Sequence, residues 1–458
     1  MGNVNMAKAL LAAFLAATLA ACGGSVYERE SGEQQQAETV VVSETSTEDA
    51  DQGKLGGSDE QGDGAGAESD ESAAGSSVTQ VSMATDGVID TADLFTERDL
   101  EQVADTSGAT QITLTSGQDV EITAEGVYVV SGSATDVTIR VTAADTDKVQ
   151  IVLDGVTIEN ADAPCIYVVS ADKVFVTTAA GSTNRLEVTG TFSADGETNT
   201  DAVIFAKDDL VLNGQGTLQI SSTDNGISCK DDLKVTGGTY DIACSGDAIE
   251  ANDSIRIADG TISISSQKDG LHAENDEDDT VGYIYICGGT LSISAASDGI
   301  QATTYLQIDG GDIAVSAGEG LEATYVQING GNVDVSASDD GINASYKSTA
   351  IGDPVIQITG GELSIAMAQG DTDAIDSNGY IYISGGTVDI SAQFAFDYML
   401  GAEMTGGTVY VNGEQVTQIT ESMMMGGPGG GMMGGDPMGG QMGGPGGGQM
   451  GGGPGGGM

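Results

Sequence analysis

Between Asp201 and about Gly413 the chain restates one short phrase at a nearly constant interval. The phrase is an acid, a small residue, an apolar residue, any residue, then another small residue. A polar stretch, apolar-x-apolar, a glycine turn and a second apolar-x-apolar follow. Its clearest copies are Asp298-Gly299-Ile300-Gln301-Ala302, Glu319-Gly320-Leu321-Glu322-Ala323 and Asp340-Gly341-Ile342-Asn343-Ala344. The leading residues Asn225, Asp247, Asp269, Asp298, Glu319, Asp340 and Asp373 are spaced by 22, 22, 29, 21, 21 and 33 residues. The two long intervals hold the insertions 275–280 and 346–351. Alternation of apolar and polar residues alone fits a sandwich as well as a solenoid. A fixed period of three short strands marks a β-solenoid of stacked rungs. Insertions at one place in the rung mean that loops leave from one face.

Stacking turns sequence positions into columns, because neighbouring parallel strands lie about 4.8 Å apart. In Asp-Gly-Ile-x-Ala the Ile and Ala point inward and x points outward. The outward column then reads Ser228, Glu250, His272, Gln301, Glu322, Asn343 and Asp376. The leading acids form a second column where the chain turns into the strand. Unit charges this close repel by roughly 1 kcal/mol in bulk water and about 3–4 kcal/mol at an effective dielectric near 20. Hard divalent cations answer that repulsion, and carboxylates with Asn and turn carbonyls suit the oxygen shell of Ca²⁺. The candidate ligands are Asp247, Glu250, Asp269, Glu274, Asp298, Glu319, Glu322, Asp340, Asp373 and Asp376. The alternative is that these residues only hydrogen-bond turn amides, as Asx side chains do. Glu319 departs from an Asp-dominated column, and Asn225 marks where it loses charge.

The net charge of -56, from 70 acids against 14 basic residues, excludes nucleic acid as a partner. The acidity also keeps an exposed protein soluble. Seventy glycines, 4% aromatic residues and no Trp argue against a conventional enzyme core and for many tight turns. No two cysteines form a C-x-x-C pair, so neither a zinc nor a redox motif is present. Cys229 takes a small-residue position held elsewhere by Ala251, Ala273, Ala302, Ala323 and Ala344, which implies a buried, alanine-like role. A Cys229–Cys244 disulfide is left open.

The ends differ from the middle. Residues 1–22 read as a lipoprotein signal peptide whose Leu19-Ala20-Ala21-Cys22 has the order of a bacterial lipobox. Acylation of Cys22 would hold the protein on the outer face of a membrane, at the cell surface. Residues 23–90 read as an acidic, disordered tether. Residues 91–200 read as an N-terminal cap with the first rungs, and 201–415 as the regular rungs with the acidic ladder. Thr96 and Asp99 stand at capping-box spacing, with Phe95 and Leu100 placed as a staple. That predicts a short helix covering the open end of the stack. The Met/Gly/Pro-rich tail 416–458 has no strand or helix pattern and reads as disordered.

Three features resemble one family. They are the entry Phe95-Thr96-Glu97-Arg98-Asp99-Leu100, the run from Ala206-Lys207-Asp208-Asp209 to Gly216-Thr217-Leu218, and the Asp-Gly-Ile and Gly-Gly-Thr turns. In their order along roughly 92–415 they are similar to bacterial carbohydrate-binding-domain proteins. That is the calcium-binding, cellulose- and polygalacturonate-binding β-helix group related to pectate lyases. The resemblance implies an all-β fold, a right-handed parallel β-helix, with bound Ca²⁺, secretion, and a plant-type polysaccharide as partner, especially one of acidic sugars. Related lyases pair calcium with a Lys or Arg base. The weak candidates for a base here are Lys230 and Lys268, neither in a matching motif. Without Trp, sugar stacking falls to Tyr283, Tyr285, Tyr305, Tyr325, Tyr380 and Tyr382, several of which recur at one rung position. The expected function is a non-catalytic surface lipoprotein binding extracellular polysaccharide. A calcium-dependent lyase and a structural adhesin without a glycan ligand are the alternatives.

Overall fold

The computed structural model describes residues 87–421, apart from residue 371. The signal peptide, Cys22, all but the last residues of the tether, and the tail from 422 lie outside the described residues. Among the described residues every regular element is a strand. The chain winds as a parallel β-helix with three strand ladders. Sheet 1 has twelve parallel strands, from Val120–Ile122 to Phe394–Tyr398. Sheets 2 and 3 form one 22-stranded hydrogen-bonded system. Long strands such as Asp232–Ala243 and Ser254–Ser265 bend through both and join them. Farther along they separate into pairs such as Tyr305–Ile308 on sheet 2 and Asp312–Ala317 on sheet 3.

The repeat sets the register. Ile300 pairs with Leu321, Leu321 with Ile342 and Ile342 with Ile375, all buried. The small-residue column Ala251, Ala273, Ala302, Ala323 and Ala344 is fully buried, and Cys229 lies in it as an alanine equivalent. Cys229 and Cys244 are both free and buried, so no disulfide joins them. One continuous apolar core runs from Leu114 to Val409.

The paired glycines between sheets 2 and 3 do two different jobs. Gly311, Gly331 and Gly361 have φ of 101°, 85° and 81°, a region that disfavours side chains. Gly310, Gly330 and Gly360 before them press on the preceding rung. A Cβ there would lie 2.5, 2.4 and 2.2 Å from the carbonyl oxygens of Cys287, Asp309 and Asn329. The last rung closes with an Asn412-Gly413 turn into the antiparallel pair Thr408–Val411 and Glu414–Val416, which covers the terminal edge of sheet 3.

The expected helix at Thr96 does not form; the segment is a turn. The capping contacts are present: the Thr96 amide donates to Asp99 Oδ2 at 3.0 Å, and the Asp99 amide to Thr96 Oγ1 at 3.2 Å. The helix does not continue because the chain docks instead. Residues 87–102 lie as a strap along the outer face of sheet 2, and not over the open end of the stack. The Val88 and Ile89 amides donate to Gln327 and Gln307, and Gln102 donates to the Thr236 carbonyl. Ile89, Leu94, Phe95 and Leu100 pack with Tyr283, Tyr285, Ala258 and Cys287 as a second apolar cluster. The Asp99 carboxylate is fully buried, 3.1 Å from Lys234 Nζ and 3.6 Å from Lys173 Nζ.

Candidate functional site

Sheet 1 carries the acids, and its register puts them in two columns. The outward column pairs Ser228 with Glu250, Glu250 with His272, His272 with Gln301, Gln301 with Glu322, Glu322 with Asn343, and Asn343 with Asp376. The leading column is knitted by backbone donors. The Asp247 amide donates to Asn225 Oδ1 at 2.8 Å, the Asp269 amide to Asp247 Oδ1 at 2.9 Å and the Asp298 amide to Asp269 Oδ1 at 3.0 Å. The Asp373 amide donates to Asp340 Oδ1 at 3.3 Å. One oxygen of each of these leading side chains therefore holds the next rung, the turn-bonding role expected of Asx residues. Asp247, Asp269 and Asp340 each keep a second carboxylate oxygen, whereas Asn225 has only its amide nitrogen left, which donates to Glu250.

The two halves of the ladder are balanced differently. In the N-terminal half protein cations answer the acids. Glu250 sits 3.0 Å from Lys230 Nζ and accepts from Asn225 at 2.8 Å. His272 Nδ1 lies 3.7 Å from Asp247 and 3.5 Å from Asp269, and its Nε2 lies 2.9 Å from Glu274. Burial disfavours the imidazolium, yet Asp247, Asp269 and Glu274 outweigh it and push the His272 pKa up to about 9. His272 therefore stands among these carboxylates as a cation at neutral pH. Glu274 is half-exposed and serves that histidine.

The C-terminal half has fewer answers. Asp298, Glu319 and Glu322 come from adjacent rungs, and one oxygen of each lies within 4.8 Å of the others. Burial and the charges of Asp269, Glu319 and Glu322 push Asp298 up to about 7. Burial and Glu322 raise Glu319 as well. Farther along, burial lifts Asp340 to about 6, with Asp339 and Asp373 adding to it, and lifts Asp376 to about 7, with Asp340 and Asp397 adding. The longer Glu319 points into this group, where it accepts from Asn343 Nδ2 at 3.1 Å. Asn343 Oδ1 beside it is buried with no hydrogen-bond partner.

The two insertions meet at this face. Ser348 Oγ donates to the Asp279 carbonyl at 2.6 Å and the Thr349 amide to Asp279 Oδ2 at 2.9 Å, across about seventy residues of sequence. The Lys347 and Ser348 amides donate to Thr324 Oγ1 at 3.1 and 2.9 Å. That docking delivers Lys347 Nζ to Glu322 Oε2 at 2.8 Å. Lys347 belongs to no repeat position, so sequence reasoning had no signal for it. Lys230 is committed to Glu250, and the exposed Lys268 reaches only 3.9 Å from Asp247.

Two further groupings lie near the corner between sheets 1 and 2 and on sheet 2. Asp209, Asp231 and Asp232 converge, with burial and the neighbouring Asp209 and Asp232 pushing Asp231 up to about 6. Their repeat, Lys-Asp-Asp at 207–209 and 230–232, was legible, but its convergence was not. On sheet 2, Tyr305 pairs in register with Tyr325, then Val355 and Tyr380 follow. The Tyr305 and Tyr325 ring centroids are 6.1 Å apart.

The carbohydrate-binding domain-containing protein family model matches residues 116–374, more than half of the chain. A carbohydrate-binding domain-containing protein of Acetivibrio thermocellus is 35% identical over 126 residues, which is 27% of this chain. This chain spans 44% of that relative's length. A solved polysaccharide lyase-like protein from C. thermocellum, a gadolinium derivative, is 32% identical with a TM-score of 0.44. The likeness covers 48% of this chain and 89% of that one.

Proposed function

Because the chain belongs to the carbohydrate-binding domain-containing family, we propose that it binds acidic extracellular polysaccharide through Ca²⁺ held on sheet 1, without turning it over. The carrying observation is the Asp298–Glu319–Glu322 convergence, three carboxylates from two adjacent rungs against the single ammonium of Lys347, which pairs with Glu322. The donor set fits a hard cation: carboxylate oxygens, plus the buried, unpartnered Asn343 Oδ1. Asp340, Asp373 and Asp376 extend the same face toward the C-terminal rungs. Asp247, Glu250, Asp269 and Glu274 are weaker ligands, since Lys230 and His272 already neutralise them. Bound Ca²⁺ supplies a positive charge with open coordination positions, to which a uronate carboxylate binds.

The lyase alternative needs a lysine able to take a proton. Lys347 is held protonated: burial lowers its pKa, but Glu322 outweighs burial and the net shift is upward. Lys230 is paired with Glu250. This favours binding over elimination. A lipid anchor at Cys22 and a cell-surface location complete the reading and rest on the amino-terminal sequence alone. The test is calorimetry with polygalacturonate in CaCl2 and in EDTA, together with absorbance of unsaturated product. Binding in calcium, lost with EDTA and in the double variant Asp298→Asn, Glu319→Gln, with no ultraviolet product, is the expected result. Binding that ignores calcium refutes the metal; product formation restores the lyase.

A further inference from the structure

The only histidine of the chain stands in the acidic ladder. His272 takes the outward position between Glu250 and Gln301, where the other members as far as Asp376 offer oxygen ligands. Its Nδ1 is buried and has no hydrogen-bond partner among the described residues. That nitrogen faces Asp269 Oδ2 of its own rung at 3.5 Å and Asp247 Oδ2 of the rung before at 3.7 Å. Both distances exceed the limit of an N–H···O hydrogen bond, about 3.2 Å. They suit the ligand-to-ligand edges of a tetrahedron, roughly 3.3–3.6 Å for bonds of about 2.0–2.2 Å to a central Zn²⁺. One ligand atom from each of the three residues lies within 4.8 Å of the others. All three groups are held from behind. Asp247 Oδ1 accepts from the Asp269 amide at 2.9 Å and Asp269 Oδ1 from the Asp298 amide at 3.0 Å, which turns each Oδ2 toward the ring. The imidazole Nε2 lies 2.9 Å from Glu274 Oε2. A carboxylate only accepts, so Nε2 carries a proton and Nδ1 is the nitrogen that can offer a lone pair. A carboxylate behind a ligating histidine fixes its tautomer and orientation in this way.

We propose that Asp247, Asp269 and His272 bind a borderline transition-metal dication, with Zn²⁺ as the type case, in a site separate from the all-oxygen rungs assigned above to calcium. The donor set selects the metal. Calcium asks for six to eight oxygens, whereas zinc takes a few ligands and accepts imidazole nitrogen beside carboxylate oxygen. Two carboxylates and a neutral imidazole also match the charge of one dication. In the metal-free protein a proton fills this place on Nδ1; the metal ion replaces it, and the proton leaves to solvent. Asp247 and Asp269 are buried, while the His272 side chain keeps 18% exposure, so the position left for a water molecule opens outward. Lys268, 3.9 Å from Asp247 Oδ2 and 61% exposed, is free to swing aside. The proposal does not depend on glycan binding, and it divides the ladder between two cation chemistries.

The test uses the full chain without an affinity tag, stripped with EDTA, returned to excess CaCl2 and titrated with ZnCl2. Calorimetry reads the binding, and NMR reads the ring resonances of the single histidine. Zinc is expected to bind despite the calcium and to shift the His272 resonances. His272→Gln and Asp247→Asn are expected to lose this binding; the second keeps an acceptor for the Asp269 amide. Glu274→Gln is expected to weaken it about tenfold, as loss of a partner behind a ligand does. The double variant Asp298→Asn, Glu319→Gln is expected to bind zinc as the wild type does. Thermal melts in CaCl2 show that the variants fold, and if one does not, the wild-type histidine resonances still decide. Absence of zinc binding in the wild type overturns the proposal. So do histidine resonances that stay in place while zinc binds, and so does zinc binding unchanged in His272→Gln and Asp247→Asn. Displacement of zinc by the calcium would make this another calcium site and also overturns it. If calcium binding fails while zinc behaves as stated, the calcium reading falls and this one stands.

Discussion

The strap at 87–102 offers the sharpest test of the tertiary structure, through Asp99→Ala. The Asp99 carboxylate is fully buried against Lys234 Nζ at 3.1 Å and Lys173 Nζ at 3.6 Å. At an effective dielectric near 20 each attraction is about 5 kcal/mol before desolvation is counted. Removing one partner of such a buried pair costs about 3–5 kcal/mol, because the remaining charges stay buried and unanswered. The two lysines are themselves nearly buried, with side-chain exposures of 6% and 11%. The strap has an exit that a core residue lacks. It lies on the outside of sheet 2, so it lifts away and lets water reach both ammonium groups while the rungs beneath stay paired. The loss therefore appears as local opening, and about 4 kcal/mol corresponds to roughly a thousandfold faster exchange of the strap amides. Hydrogen-exchange mass spectrometry on 87–102 reads this directly. Trypsin cleavage after Arg98, now stacked 4.5 Å over Phe175, reads it independently. Unchanged exchange in the strap would refute the lock, and equal loss of protection in the core strands would refute its local character. The pH dependence has a defined sign. Burial raises the Asp99 pKa, but the Thr96 amide, Lys234 and Lys173 outweigh it and hold it below the usual carboxylate range. Docking is therefore retained at neutral pH and lost as pH falls through that depressed value.

The acidic ladder has the opposite sign. Asp298 and Asp376 near 7 and Asp340 near 6 bind protons more tightly in the fold than in the unfolded chain. Their contribution to the stability of the cation-free protein is greatest below about pH 4 and falls as pH rises through 6 and 7. Thermal melts in EDTA are expected to show that fall, and melts in CaCl2 to remove most of it. Lys347→Met removes the ammonium that competes for Glu322 and is expected to tighten calcium binding about tenfold in calorimetry; weaker binding would mean that the lysine supports the site. Gly320→Ala would place a Cβ 2.3 Å from both the Gly341 carbonyl oxygen and Val335 Cγ1, and is expected to destabilise the rod by about 3 kcal/mol, read by denaturant unfolding.

Much of this rod is written locally. Ile300 and Ala302 face in and Gln301 faces out because strand side chains alternate, and a 21-residue period stacks each on its equivalent. The two acidic columns, the buried Cys229 and the one-sided insertions follow from the same periodicity. What the period cannot carry is the balance of charge within a column. His272 answers Asp247, Asp269 and Glu274 because one ring reaches carboxylates on its own rung and the one before. Lys347 reaches Glu322 only because its loop is pinned to Thr324 and to Asp279, about seventy residues earlier. The capping pair Thr96 and Asp99 forms its hydrogen bonds without a helix, since burying Asp99 against Lys173 and Lys234 outweighs continuing a short exposed turn. Repeat spacing thus determined the fold and where the acids lie, because stacking is a local, periodic property of the chain. Which acids are answered by a protein cation and which are not was decided by long-range contacts that recur in no repeat.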